Sequence, residues 1–145
     1  MIQLNVIGRD AALAAGVRAA TDVTGFGLAG HAREMADASN VTLVLQASSL
    51  PQLPGAAQLA GRGYFTRASR TNRHFAEAAA QVMPGVDQLQ LEFAYDAQTS
   101  GGLLISVDAA RASQVVDQCR TAGAADTCVV GRVEPRDQTA LIVEP

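Results

Sequence analysis

A short β-rich run that leads directly into a glycine-rich loop and then a helix is the feature that most restricts the fold of this chain. Residues 17–23 predict a strand, residues 24–27 read Thr-Gly-Phe-Gly, and residues 28–38 carry apolar side chains at helical spacing. Glycine at such a junction allows the backbone to turn sharply and to approach a ligand or a neighbouring segment closely. The junction is therefore both a fold signal and a candidate binding loop.

The rest of the chain mixes predicted strands and helices without strict alternation. Further helices are predicted within residues 1–16, up to residue 59, over 72–82 and from an N-cap at Asp108 to about residue 122. Further strands are predicted over 41–45, 88–94, 103–107, 127–133 and 139–143. No internal repeat or low-complexity tract interrupts this order. We predict a single α+β domain over residues 1–145, with a mixed sheet.

Composition excludes several classes of protein. The chain has 145 residues, of which 48% are apolar, and a net charge of −3, which is typical of a globular domain rather than a disordered one. All eleven basic residues are arginine, so no lysine is present to form a Schiff base or to bind phosphate as in a P-loop. Without a signal peptide, a spanning segment or a general basic patch, we expect a cytoplasmic protein that binds neither membrane nor nucleic acid.

The first glycine loop leaves two readings open. Gly25, Gly27 and Gly30 match the G-x-G-x-x-G pattern, but the next predicted strand ends at Gln46 rather than at an acidic residue, which argues against a dinucleotide fold. A loop before a helix can instead hold phosphate, with Mg²⁺ between the phosphate and Asp22. Alternatively, Asp22 and Thr24 only cap the following helix.

Four further features have ordinary structural readings beside any functional one. The second loop, residues 96–102 (D-A-Q-T-S-G-G), is either a ligand-contacting loop or a hairpin turn with polar residues in water. His31 is either a hydrogen-bonded helical histidine or a catalytic one, and His74 is expected on a solvated face. Cys119 and Cys128 lack metal-ligand spacing and are expected to be buried or half-buried.

Two segments carry a family resemblance. Residues 21–31 (T-D-V-T-G-F-G-L-A-G-H) resemble a signature of selenophosphate synthetases, and residues 96–104 (D-A-Q-T-S-G-G-L-L) are similar to that family's D-P-Q-T-S-G-G-L-L. Aminoimidazole ribonucleotide synthetase and thiamine-monophosphate kinase share the domain plan but not these strings. The resemblance implies a three-layer α/β/α arrangement like the C-terminal domain of aminoimidazole ribonucleotide synthetase.

The resemblance also implies a function and a set of partners. Selenide, ATP and water would give selenophosphate, AMP and phosphate with Mg²⁺, in a dimeric enzyme whose N-terminal catalytic domain meets this one. Asp22 matches the family's metal ligand, and Thr24, Gly25, Phe26 and Gly27 match a loop that faces the ATP cleft. The family's reactive cysteine or selenocysteine and its lysine have no counterpart here, so we expect this chain alone to be inactive. A stand-alone nucleotide-binding or interaction module is the alternative.

The chain departs from the family pattern at two places. Ala97 stands where the family usually has proline, which loosens the turn but leaves the glycines that follow it. Residues 67–69 read Arg-Ala-Ser where the family commonly shows Gly-Gly-Thr. Ligand contacts made by the family at that second place are not transferred to this chain.

Overall fold

A computed structural model describes residues 4–145, with six helices and six strands in that range. The helices are α1 (Val6–Ala14), α2 (Gly27–Ser39), α3 (Ala56–Ala60), α4 (Arg67–Glu77), α5 (Gln88–Tyr95) and α6 (Ala112–Thr121). The strands are β1 (Ala19–Asp22), β2 (Val41–Gln46), β3 (Ala80–Val82), β4 (Leu103–Ser106), β5 (Gly131–Pro135) and β6 (Leu141–Glu144). No helix among these is both long and apolar enough to cross a bilayer.

The strands form two sheets. β1 and β4 pair antiparallel, from Ala19 opposite Ser106 to Asp22 opposite Leu103. The other four strands lie in the order β3-β6-β2-β5, with β6 parallel to both β3 and β2 and with β5 antiparallel to β2. The predicted α+β class with a mixed sheet is confirmed. The last two strands of the chain are not neighbours, because β2 lies between them.

The main core lies between α2 and the four-stranded sheet. Ala29, Ala32 and Ala36 of α2 are fully buried, and they belong to one cluster with the leucine and valine side chains of β2 and β6. Because alanine projects so little from a helix, the backbone of α2 can approach the sheet and the adjacent helices α4 and α5 closely. This packing fixes the start of α2, and with it the glycine loop that precedes the helix.

A smaller cluster joins α1 to α6. Ala11 and Ala15, at the end of α1, pack with Val115 and Cys119 of α6. Cys119 is buried and Cys128 is half-buried, with its sulfur 3.4 Å from the carbonyl oxygen of Ser49. Both cysteines therefore have the structural role that the sequence indicated.

The prediction of a strand over residues 88–94 is wrong, because this segment forms α5. Asp87 caps the helix, since its carboxylate accepts hydrogen bonds from the backbone N–H groups of Leu89 and Gln90 at 2.9 and 3.0 Å. The buried side chains, Leu91, Ala94 and Tyr95, follow helical spacing. The alternation of Leu89, Leu91 and Phe93 is too short to exclude this periodicity.

The prediction of one helix over residues 72–82 is also wrong in its bounds. α4 begins earlier, at Arg67, because the hydroxyl of Thr66 accepts a hydrogen bond from the backbone N–H of Ser69. Residues 67–71, which lie before the predicted helix, are therefore part of α4. The helix ends at Glu77, and residues 80–82 form β3, which pairs with β6.

Candidate functional site

The two glycine loops lie side by side at one end of the β1–β4 ladder. The ladder continues one residue beyond the strands, since the N–H of Val23 donates to the carbonyl of Gly102 at 2.9 Å. The N–H of Gln98 then donates to the carbonyl of Thr24 at 3.0 Å. The two segments that resemble the family signatures, residues 21–31 and 96–104, are thus joined by main-chain hydrogen bonds into one structure.

One glycine in each loop is required by the close approach of the other loop. Gly27 has φ +69°, and a Cβ atom on it would lie 2.8 Å from the carbonyl oxygens of Tyr95 and Asp96. A Cβ atom on Gly101 would lie 2.2 Å from the carbonyl oxygen of Val23. These two glycines therefore let the loops touch each other, which is a structural rather than a ligand-binding reason for their presence.

Asn72, on α4, ties both loops to the helical layer. Its amide Nδ2 donates to the carbonyl of Gly25 at 2.8 Å and to the carbonyl of Tyr95 at 3.0 Å, and the residue is only 4% exposed. Sequence reasoning gave Asn72 no role beyond the start of a helix. The signal that could have found it is its position on the inner face of α4, three residues after Ser69 and four before Ala76, both of which are buried.

Asp22 ends β1 at the start of the first loop, and its side chain is exposed. Among residues 4–145 no hydrogen bond or ion pair engages its carboxylate. No group of three or more potential metal-ligating side chains occurs in the same range. One free carboxylate fits Mg²⁺, which commonly takes one or two protein carboxylates together with waters and phosphate oxygens. A metal site built on Asp22 would therefore need ligands beyond the side chains that residues 4–145 bring together.

The expectation that Asp22 and Thr24 cap α2 is wrong. The cap position is Phe26, and no side chain makes a capping hydrogen bond there. Thr24 instead places its hydroxyl oxygen 3.1 Å from Nε2 of His31, and Nδ1 of His31 lies 3.3 Å from a carboxylate oxygen of Glu34. His31 is therefore a buried and hydrogen-bonded helical histidine, whereas His74 is exposed as expected.

Phe26 presents an aromatic ring at the surface of the first loop. The residue is 51% exposed, and its ring stacks on Phe75 with the centroids 5.8 Å apart. The guanidinium of Arg33 lies 4.4 Å from the centroid of the Phe75 ring. Gly30 makes room for this arrangement, because a Cβ atom there would lie 2.8 Å from Cβ of Phe26. The first loop thus offers both a carboxylate and an aromatic surface to a ligand or a facing domain.

In the second loop, by contrast, the acidic side chain is engaged inside the domain. A carboxylate oxygen of Asp96 accepts hydrogen bonds from the hydroxyls of Ser69 at 3.0 Å and Thr66 at 3.2 Å. Thr99 and Ser100 are exposed, so the hydroxyls noted in the sequence do face solvent. The hairpin reading is wrong, because the loop connects a helix, α5, to β4.

One surface depression lies away from both glycine loops. It is lined by side chains of α6 and its end, namely Ser113, Gln114, Asp117, Gln118, Thr121 and Ala122. None of these residues belongs to either glycine loop.

The fold and the paired loops define a family. The sequence pattern described as "AIR synthase related protein, C-terminal domain" matches residues 3–144. The chain belongs to this family, which confirms the resemblance in domain plan.

Relatives within the family are similar over most of the chain. A selenide, water dikinase of Nitratidesulfovibrio vulgaris (strain DP4) is 40% identical over 90% of the chain, and that of Bdellovibrio bacteriovorus is 40% identical over 89%. Selenide, water dikinase 2 of Peptoclostridium acidaminophilum is 35% identical over 99%. The chain spans only 37%, 36% and 41% of these three proteins, respectively.

A solved structure resembles this chain in its fold. The crystal structure of the hydrogenase maturation protein HypE matches 82% of this chain and 29% of that chain with a TM-score of 0.50. The sequences are 18% identical, so the likeness concerns the arrangement of helices and strands.

Proposed function

We propose that this chain is the C-terminal domain of a selenide, water dikinase, the enzyme that makes selenophosphate from selenide, ATP and water with AMP and phosphate as co-products. The observation that carries the proposal is the joined pair of loops, residues 21–31 and 96–104, which hold both signature segments in one structure. Identities of 35–40% to proteins of that name over about nine tenths of the chain or more add support. In this proposal the domain covers the ATP site of a separate N-terminal catalytic domain.

In this proposal Asp22 holds one coordination position of a Mg²⁺ ion bound to ATP. The support is that its carboxylate is exposed at a strand end and has no competing partner among residues 4–145. The bound ion would supply positive charge next to the phosphates. Thr24, Gly25, Phe26 and Gly27 form the loop that faces the nucleotide, on a backbone held by Asn72 and by Gln98.

The proposed partners are the N-terminal domain of the same enzyme, ATP and selenide, and a second copy of the full-length protein in a cytoplasmic homodimer. Exposed apolar side chains are available for contact with another domain. They include Leu4, Leu13, Phe26, Leu53, Leu59 and Tyr64, each at least half exposed. The alternative, a stand-alone nucleotide-binding or interaction module, predicts ATP binding by this chain without any enzymatic product.

The test is selenophosphate formation by the full-length protein that contains this chain, followed by phosphorus NMR. We expect product that depends on ATP, selenide and Mg²⁺, and no product from the 145-residue chain alone. Asp22→Asn should lower the apparent affinity for Mg²⁺ at least about 10-fold, because even residues that only support a metal ligand commonly cost this much.

Asp117→Asn is the matched control, since Asp117 is also exposed and lies on α6, away from both loops. We expect it to leave Mg²⁺ dependence unchanged. Wild-type Mg²⁺ dependence in the Asp22→Asn protein would remove the metal-ligand assignment. Product from the isolated chain would overturn the view that this domain needs a catalytic partner.

A further inference from the structure

Three polar side chains at the start of α2 lie close together, linked by one hydrogen bond and one contact between a ring nitrogen and a carboxylate. The hydroxyl oxygen of Thr24 lies 3.1 Å from Nε2 of His31, and Nδ1 of the same ring lies 3.3 Å from a carboxylate oxygen of Glu34. His31 is 9% exposed, and the ring of Phe26 tilts against it with the centroids 5.6 Å apart. The imidazole is therefore shielded from water while both its nitrogens have a polar partner.

The chemistry of the three groups sets the direction of the hydrogen bonds. An ionised carboxylate can only accept, so the 3.3 Å contact with Glu34 favours a hydrogen on Nδ1 of His31 over a lone pair there. In a neutral imidazole the other nitrogen, Nε2, then has only a lone pair. The hydroxyl of Thr24 must donate its single proton to Nε2. The oxygen of this hydroxyl then has only lone pairs left, so it can only accept in any further hydrogen bond.

The main chain of Thr24 holds this oxygen in place. Its carbonyl accepts hydrogen bonds from the N–H groups of Gly27 and Gln98, both at 3.0 Å. The carbonyl of the next residue, Gly25, accepts a hydrogen bond from the side-chain amide of Asn72. The loop backbone around Thr24 is therefore held on both sides before any ligand binds.

We propose that His31, supported by Glu34, is a positioning residue that makes the Thr24 hydroxyl a hydrogen-bond acceptor toward the ligand. This inference rests on the proposed function, in which the loop faces ATP. Phosphate oxygens are acceptors at neutral pH, so Thr24 does not bind them directly. It binds an O–H donor, either a ribose hydroxyl or a water molecule held by the nucleotide.

Nitrogen NMR of the imidazole tests the hydrogen-bond direction without any ligand. The chain contains two histidines, so His74→Gln leaves His31 as the only imidazole signal. In the pH range where the ring is neutral, we expect a protonated Nδ1 and an unprotonated Nε2. The Nε2 signal should shift when Thr24→Val removes the hydroxyl. A neutral ring with the proton on Nε2 would overturn the proposal.

Two substitutions of His31 test its role in ligand binding in the full-length protein. A glutamine amide reaches the place of Nε2, whereas an asparagine amide reaches only that of Nδ1. His31→Asn and Thr24→Val should raise the KM for ATP about tenfold with little change in kcat, as expected for loss of one hydrogen bond made equally in ground and transition states. His31→Gln should restore most of the affinity.

A purely structural role for His31 predicts a different pattern. Glutamine and asparagine would then be equally harmful, or Thr24→Val would leave the KM for ATP unchanged, and either result overturns the proposal.

Binding of 2′-deoxy- and 3′-deoxyadenosine triphosphate separates the two possible donors, a ribose hydroxyl and a water molecule. If a ribose hydroxyl is the donor, Thr24→Val does not weaken binding of the analogue that lacks that hydroxyl. If water is the donor, Thr24→Val weakens binding of both analogues.

These measurements also separate this inference from the proposed function. Absence of selenophosphate from the full-length protein would remove the proposed function but would leave the NMR result standing. In that case the effect of Thr24→Val on ATP affinity, measured by calorimetry, still decides whether the hydroxyl contacts a ligand.

Discussion

The two glycine loops have similar compositions, but they use their polar side chains in opposite ways. In the first loop the carboxylate of Asp22 is exposed and has no partner within residues 4–145. In the second loop the carboxylate of Asp96 accepts two hydroxyl hydrogen bonds from α4. An aspartate whose acceptor positions are occupied inside a domain stabilises that domain, whereas a free one is available to a ligand. The carboxylate of the first loop is thus free to meet a ligand, whereas that of the second loop supports the domain.

The largest effect is expected where the loops touch. Gly101→Ala would place a Cβ atom 2.2 Å from the carbonyl oxygen of Val23, a backbone atom that cannot move without breaking the ladder. We expect the free energy of unfolding to fall by about 3 kcal/mol or more, as for severe overpacking. Chemical denaturation of this chain measures the effect.

Gly102→Ala is the matched control, because a Cβ atom there meets nothing within 4 Å. Its stability should change by less than about 1 kcal/mol in either direction. If the two substitutions were equally tolerated, the contact between the loops would not exist in solution and the comparison would lose its basis.

The second prediction separates the two aspartates. Asp96→Ala leaves the hydroxyl of the buried Ser69 without its charged acceptor, so we expect a loss of about 2 kcal/mol in the free energy of unfolding. Asp22→Ala removes an exposed carboxylate without a partner and should change stability by less than about 0.5 kcal/mol. Equal losses from the two substitutions would contradict the division of roles.

The sequence predicted those parts of the fold and of the loop site that depend on contacts between neighbouring residues. The strand β1, the first loop and α2 follow one another directly, so their pattern was sufficient to predict them. The helix α5 was missed because seven residues of alternating apolar character fit both periods, and burial of Tyr95 against distant segments decided between them. Asn72 binds Gly25, 47 residues away, and no local pattern reports such a contact.

A smaller effect at neutral pH than that of Asp96→Ala concerns Tyr95, the last residue of α5 before the second loop. Its side chain is fully buried, and its hydroxyl has no hydrogen-bond partner among the described residues. Tyr95→Phe should therefore raise the free energy of unfolding by about 1 kcal/mol, since a buried unpaired hydroxyl is unfavourable. A loss of stability instead would mean that the hydroxyl has a partner such as a bound water.

The same substitution has a pH signature. Burial raises the pKa of Tyr95 to about 12, and the carboxylate of Glu77 adds to the shift while Arg73 opposes it. The folded state therefore holds the proton more tightly than the unfolded state, whose tyrosine has a pKa of about 10. The resulting stability is fully present below pH 10 and is lost as the pH rises toward 12. Denaturation curves should show the wild type losing about 2 kcal/mol more than Tyr95→Phe over that interval. Parallel curves would mean that this side chain is not buried as described, and that the support for the second loop is weaker than its contacts indicate.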